Sequence, residues 1–159
     1  MKLLILSDEH RDSMCLEMIT EKEKDADAVI FLGDGAADVE VWQETHPRRR
    51  VYLVAGNCDA DSFAPSEGLA AFDGILFFYT HGHNYGVKMT RGILADAAVS
   101  RGAQVALFGH THTPFCGYEN GVFLFNPGSL SYSPQVGGPS YGVITTAPDG
   151  TFKAEHRRL

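Results

Sequence analysis

Seven residues with metal-binding side chains stand at the ends of five successive apolar runs. Asp8 and His10 follow KLLILS (2–7), Asp34 follows AVIFLG (28–33), and Asn57 follows RVYLVAG (50–56). His81 follows GILFFYT (74–80), and His110 and His112 follow QVALFG (104–109). Two Asp, one Asn and four His make a mixed oxygen and nitrogen donor set. That is more than a single four-coordinate zinc takes. It suits two divalent first-row ions sharing a carboxylate, and affinity alone does not choose among manganese, iron, cobalt, nickel and zinc. If His110-x-His112 is extended, its alternate side chains share a face and can feed one imidazole to each ion, and Asp8-x-His10 follows the same logic. Each short motif alone reads as a turn or a solvated loop. GDGAAD (33–38) is neither GxGxxG nor a lysine-bearing phosphate loop. The signal lies in the ordered set.

The elements that must position these residues follow from the apolar runs. Most of the runs are continuous rather than alternating, as in strands covered on both faces. VFLFN (122–126) and YGVITT (141–146) continue the series. Helical patterns lie between: 12–26, with Asp12 or Ser13 as N-cap; the shorter 36–44; and 86–102, closed by Gly102. The first half reads β-α-β-α-β. The second half is strand-rich, with hairpin turns at Asn120-Gly121 and Asp149-Gly150. Two packed sheets with outer helices, in the α/β class, are expected. In open α/β sheets ligand sites form at the carboxyl ends of strands, so all seven residues can meet at one rim.

Bulk properties narrow the classes. A chain of 159 residues with 44% hydrophobic content suits one domain, read here as 1–159. A formal net charge of −7 disfavours stable nucleic-acid binding. Cys15, Cys58 and Cys116 are odd in number and widely spaced, which fits a reducing compartment. No run approaches a membrane span or a secretory leader, so a cytoplasmic location is expected.

The ordered set SDEH, GD, GNCD, THGH, GHTH and NPGS, from residue 7 to 129, resembles the calcineurin-like metallophosphoesterase superfamily, and within it the small YfcE-like phosphodiesterases. The resemblance implies a four-layer α/β/β/α sandwich. It assigns Asp8, His10, Asp34 and His112 to one metal, and Asp34, Asn57, His81 and His110 to the other, with Asp34 as the bridge. Asn57 would also contact a phosphate oxygen, and NPGS (126–129) would lie near the site as a structural loop. The implied activity is a dinuclear metal-dependent phosphodiesterase attacking with a metal-bridging water or hydroxide, manganese foremost, with nickel, cobalt, iron, zinc or magnesium as further candidates.

Two departures stand out. Cys58 occupies the position after Asn57 where the wider superfamily often has a His proposed as the acid. A thiol of ordinary pKa, about 8.5, is a poor substitute. Leaving-group protonation then falls to water or to His83, and acidic leaving groups should be preferred. Arg11 replaces a more usual Gly, where it could grip a substrate phosphate bidentately or remain solvated. Asp59 could orient Asn57 or His81 or serve as a turn residue. His46 and His156 read as surface residues. The substrate class is a small phosphodiester, and a homodimer is the base-rate assembly. Two other readings compete: a noncatalytic metal-binding scaffold, resembling the retromer subunit of this fold, and a phosphomonoesterase or nucleotide phosphohydrolase on the same site. The complete ligand set favours an enzyme.

Overall fold

The computed structural model describes residues 1–10, 13–131 and 137–159. The first half contains β1 (Lys2–Leu6), α1 (Ser13–Lys22), β2 (Ala28–Phe31), α2 (Ala36–Thr45), β3 (Val51–Leu53), β4 (Glu67–Phe72) and β5 (Ile75–Thr80). A 3₁₀ turn (His83–Tyr85) then leads to α3 (Gly92–Ser100), β6 (Val105–Leu107), β7 (Phe115–Glu119), β8 (Val122–Asn126), β9 (Ser140–Thr146) and β10 (Phe152–Arg158).

Two mixed sheets result, in the orders β10-β9-β1-β2-β3 and β4-β5-β6-β8-β7. The run β1-β2-β3 is parallel in the first, and β5-β6-β8 is parallel in the second. The continuous apolar runs are buried on both sides, as their pattern requires. In β1, Leu3 and Ile5 face the second sheet, where they join Ile30, Phe77, Leu107 and Phe125. Leu4 and Leu6 face outward against Leu16 and Ile19 of α1 and Val39 and Trp42 of α2. On the far side Leu94, Ala95 and Ala98 of α3 cover Phe78, Ala106 and Leu124. The architecture is thus the expected α/β/β/α sandwich. Fully burying each large side chain contributes about 1.5–3 kcal/mol. Phe77, at the centre of the inter-sheet core, is the most sensitive kind of position, and truncation there to Ala costs about 3–5 kcal/mol. No helix among the described residues is long and apolar enough to cross a membrane.

Two local expectations change, and a third lies outside the described residues. β4 was not expected. It is an edge strand of sequence EGLAAF, lacking the β-branched residues that mark a strand. Its hairpin to β5 is closed at Asp73 (φ 49°) and Gly74 (φ 79°), a pair suited to a two-residue turn. The third helix begins at Gly92 rather than near 86, because a 3₁₀ turn ends at Gly86 and leaves Met89 exposed. The proposed N-cap Asp12, like Arg11, lies outside the described residues; α1 starts at Ser13.

Candidate metal centre

All seven proposed ligands follow the carboxyl ends of parallel strands, and the fold gathers them at one rim. Their backbones are unusual. Asp8 (φ 56°), His10 (48°), Asp34 (57°), His110 (66°) and His112 (57°) are all left-handed. Among the described residues the other non-glycine residues in this region are Asp73 and Asn120, both in hairpin turns. Each such conformation costs about 1–3 kcal/mol and persists only where its surroundings impose it. This corrects the expectation that His110-x-His112 and Asp8-x-His10 are extended. The curl at these positions sends His110 toward His81 and His112 toward His10, while Asp8 and His10 come to the same group.

The loops are held by one another. The Asp8 amide donates to the Gly33 carbonyl at 2.9 Å and the His10 amide to the Asp34 carbonyl at 3.1 Å. Buried Asn126 braces the histidine loop: its Nδ2 donates to the Gly109 carbonyl at 2.8 Å and to Thr111 Oγ1 at 3.0 Å. Ser129 Oγ donates to the Asp8 carbonyl at 2.9 Å. The NPGS segment therefore sits behind the site and positions both histidine and aspartate loops. Gly109 is required by close approach, since a Cβ there would lie 1.9 Å from Ser7 Oγ and 2.8 Å from Asp8 Oδ2.

Asp59 acts differently from the sequence reading. Its carboxylate accepts the amides of Asp34 (2.7 Å), Gly35 (2.8 Å), Ala36 (2.9 Å) and Gly56 (2.7 Å). It orients neither Asn57 nor His81 directly. It caps the start of α2, whose own N-cap Gly35 has no side chain to do so.

The side chains converge in two adjoining groups. In one, His112 Nε2 lies 3.0 Å from Asp8 Oδ1 and 3.2 Å from His10 Nε2. In the other, His81 Nε2 lies 3.2 Å from His110 Nδ1, 3.2 Å from Asn57 Oδ1 and 3.4 Å from Asp34 Oδ2. The same Asp34 Oδ2 is 3.9 Å from His10 Nε2, so one oxygen faces both groups. Its partner Oδ1 accepts the Cys58 amide at 2.8 Å, which fixes the carboxylate plane. His81 Nδ1 lies 2.7 Å from the Leu32 carbonyl, to which it donates, and this leaves Nε2 directed at Asp34 and the centre.

These atoms fit divalent cations. Asp8 is fully buried, and its Oδ1 has no hydrogen-bond donor although two imidazoles surround it. Imidazole nitrogens 3.2 Å apart can share one proton or converge on a cation. Three donor triads could hold an ion: Asp8, His10 and His112; Asp34, His81 and His110; and His10, Asp34 and Cys58. The last brings in the Cys58 thiol, which sequence reasoning did not count as a donor.

The charges are strongly coupled. Burial opposes ionisation of Asp34, but hydrogen bonds from His81 and the Cys58 amide hold its carboxyl well below the usual range. Burial opposes the charged form of His81, and the Asp34 and Asp8 carboxylates overcome it and raise its pKa. Asp8 raises that of His112. Burial, with His81 and Lys88 nearby, pushes His110 down to about 4. Burial pushes the Cys58 thiol up, with the Asp34 carboxylate adding to it.

His83 flanks the centre, its ring 5.4 Å from that of His81 and 6.1 Å from that of His110. Burial and His81 lower its pKa, and its buried Nδ1 has no partner among the described residues. Asn57 is exposed at the mouth, its Nδ2 3.3 Å from Cys58 Sγ. His46 stacks on Trp42 at 4.5 Å, and exposed His156 stacks on Phe125 at 4.5 Å, both away from the centre.

Known proteins share this sequence and fold. A profile of the calcineurin-like phosphoesterase superfamily domain matches residues 1–149. The probable metallophosphoesterase YsnB of Bacillus subtilis (strain 168) is 31% identical over 151 residues, covering 94% of this chain and 86% of that protein. Phosphodiesterase YfcE of Escherichia coli (strain K12) is 29% identical over 169 residues, covering 91% and 87%. A crystal structure of a conserved Streptococcus pneumoniae TIGR4 protein, itself carrying a phosphoesterase prediction, superimposes with a TM-score of 0.78 at 23% identity, covering 98% and 97%. With the profile spanning nearly the whole chain and the buried carboxylates and imidazoles gathered at one rim, the chain belongs to the calcineurin-like phosphoesterase superfamily.

Proposed function

We propose that the chain is a phosphodiesterase whose centre takes two divalent ions, with residues 1–159 acting as one unit. Asp8, His10, Asp34 and His112 would hold one ion, and Asp34, Asn57, His81 and His110 the other. The observation that carries this reading is the position of Asp34 Oδ2, 3.4 Å from His81 and 3.9 Å from His10, between the two donor groups. Bound there, a pair of ions would supply charge to the phosphoryl oxygens and activate water for in-line attack. Manganese is the first metal to test.

The remaining chemistry belongs to the chain. Exposed Asn57 can donate Nδ2–H to a phosphoryl oxygen while Oδ1 faces the centre. Burial and His81 lower the pKa of His83, which disfavours it as the acid for the leaving group and suits it to orienting substrate through a hydrogen bond. Cys58 keeps its proton and is a weak acid. With no strong acid among the described residues aimed at the leaving oxygen, diesters with acidic leaving groups should react fastest.

The test is hydrolysis of bis-p-nitrophenyl phosphate by chelator-stripped protein, with metal content measured alongside. Turnover restored by manganese, with about two ions bound per chain, supports the reading. Folded, metal-loaded protein without turnover on aryl or alkyl diesters would leave the scaffold role instead.

A further inference from the structure

The two flanks of the centre carry opposite charge. Toward α2 the wall is acidic: Asp38 and Asp61 line it beside His10, Asp34 and Cys58. On the other side a groove of about 370 Å³ runs from the histidine loop, where Thr111 lies between His110 and His112. Its floor is apolar, from Val87, Phe108 and Phe115, and its charged residues are Lys88 and Arg91. In a chain of net charge −7 this concentration of cations beside the centre is notable.

Both cations are available. Lys88 is exposed and pairs with no carboxylate among the described residues, and its charge opposes protonation of His110 and His112, which places it near them. Arg91 lies flat over Phe115, 4.1 Å from the ring centroid. Its Nε is buried without a hydrogen-bond acceptor, and the nearest ion-pair oxygen, Glu119 Oε2, is 4.0 Å away. With Nε buried, the terminal Nη atoms of the stacked guanidinium are the ones left to meet an oxyanion. Thr111 and Thr113 add hydroxyls along the groove.

We infer that this groove binds one arm of the substrate and selects a phosphodiester carrying a second anionic group on that arm, such as a nucleotide unit ending in phosphate. The inference rests on the phosphodiesterase reading and names its substrate class. The groove beside Thr111, Thr113 and Pro114 takes the body of the arm, Lys88 and Arg91 take the terminal charge, and the acidic wall opposite disfavours the reversed orientation.

The test compares the thymidine dinucleotide TpT with its 5′-phosphorylated form pTpT, with bis-p-nitrophenyl phosphate as reference. Two charge-assisted contacts should give pTpT about a tenfold advantage in kcat/KM. Lys88→Glu and Arg91→Ala should each reduce the pTpT-to-TpT ratio. Lys88→Glu is at an exposed position and so keeps the test open if Arg91→Ala is poorly folded. In metal-free protein, thymidine 5′-monophosphate should shift backbone amide resonances at 87–91, 111–113 and 115, whereas thymidine should not. Equal rates on TpT and pTpT, with the reference hydrolysed, overturn the inference and spare the phosphodiesterase reading. Shifts confined to other surfaces overturn it as well. No hydrolysis of the reference, with the groove shifts present, overturns the phosphodiesterase reading and with it the groove as a substrate subsite.

Discussion

Asp59 reaches the centre through the backbone of Asp34: its Oδ2 accepts the Asp34 amide at 2.7 Å, and the Asp34 carboxylate, so anchored, turns toward His10 and His81. The same carboxylate takes the Gly35, Ala36 and Gly56 amides, so it ties the loops after β2 and β3 together. Asp59→Ala leaves these donors unpaired. It should lower stability by about 1–3 kcal/mol and metal affinity by about ten- to a hundredfold. Thermal melts and metal titrations check both. Unchanged metal affinity would show that the loop holds its shape without the cap.

Asp34→Asn tests the shared oxygen itself. An amide can still accept the Cys58 N–H at Oδ1, so local folding should survive. The charge facing both imidazole groups is lost. Bound metal should fall below two ions per chain, and kcat/KM on an aryl diester should drop by at least about a hundredfold, the scale of loss seen even for residues that only support ligands. Elemental analysis and steady-state kinetics on the same preparation give the two readouts.

Gly109→Ala probes packing behind the ligands. The added methyl would sit 1.9 Å from Ser7 Oγ and 2.8 Å from Asp8 Oδ2, so the aspartate loop must move. Overpacking of this kind costs about 1–3 kcal/mol. The expected outcome is a protein that still folds but binds the ion faced by Asp8 and His112 much more weakly. Retained stoichiometry would mean that the loop yields without disturbing Asp8.

Metal should stabilise the fold measurably. Buried Asp8 Oδ1 has no donor without an ion, and five proposed ligands hold left-handed backbones. At a free metal concentration a hundred times Kd, linkage gives about 2.7 kcal/mol. For a chain of this size that is a rise of about 5–10 °C in Tm. Calorimetry with manganese, and then with excess chelator, should show the rise and its reversal.

Away from the centre, Glu23 governs behaviour in acid. Burial opposes its charge, but Lys2, Tyr141 and Arg157 outweigh it and hold the pKa down to about 2, against an ordinary 4.5. Their contacts are 2.8, 2.8 and 2.9 Å. The unfolded chain therefore takes up a proton here before the native one does. This stabilisation is complete above pH 4.5 and is lost as the pH falls toward 2. Glu23→Gln should lower stability at pH 7 by about 1–3 kcal/mol and flatten the acid limb of the stability curve. Denaturant unfolding between pH 2 and pH 7 measures it.

Much of this molecule was legible from residue order. Continuous apolar runs located β1, β2, β3, β5, β6, β8 and β9, because burial on both faces leaves little room for polar residues. The candidate ligands were legible because metal chemistry restricts residue type at strand ends. β4 was obscured because an edge strand needs only one buried face and can be built from Gly and Ala, although Asp73-Gly74 marked its turn. The curl at His110 and His112 was hidden because left-handed conformation is a product of tertiary restraint, and the enrichment of histidine there is too weak to mark a single position. Asp59 carried an ambiguous signal: a carboxylate near ligands can face a side chain or a backbone, and only the packed loops decide.

Each donor group draws from both sheets. Asp8 and His10 come from the sheet containing β1 and β2, while His112 joins them from beyond β6; Asp34 faces His81 and His110 across the same divide. Neither of these two groups is complete until the sandwich has closed, so an isolated first sheet could offer an ion at most His10, Asp34 and Cys58. Once loaded, the centre would act as a rivet at one edge of the sandwich, resisting any sliding of one sheet over the other. At the opposite edge Asp73, in the β4–β5 turn, ties the sheets through the Met1 amino group at 2.8 Å and Thr146 Oγ1 at 2.6 Å, and amide exchange on stripping the metal should accelerate first along the riveted rim.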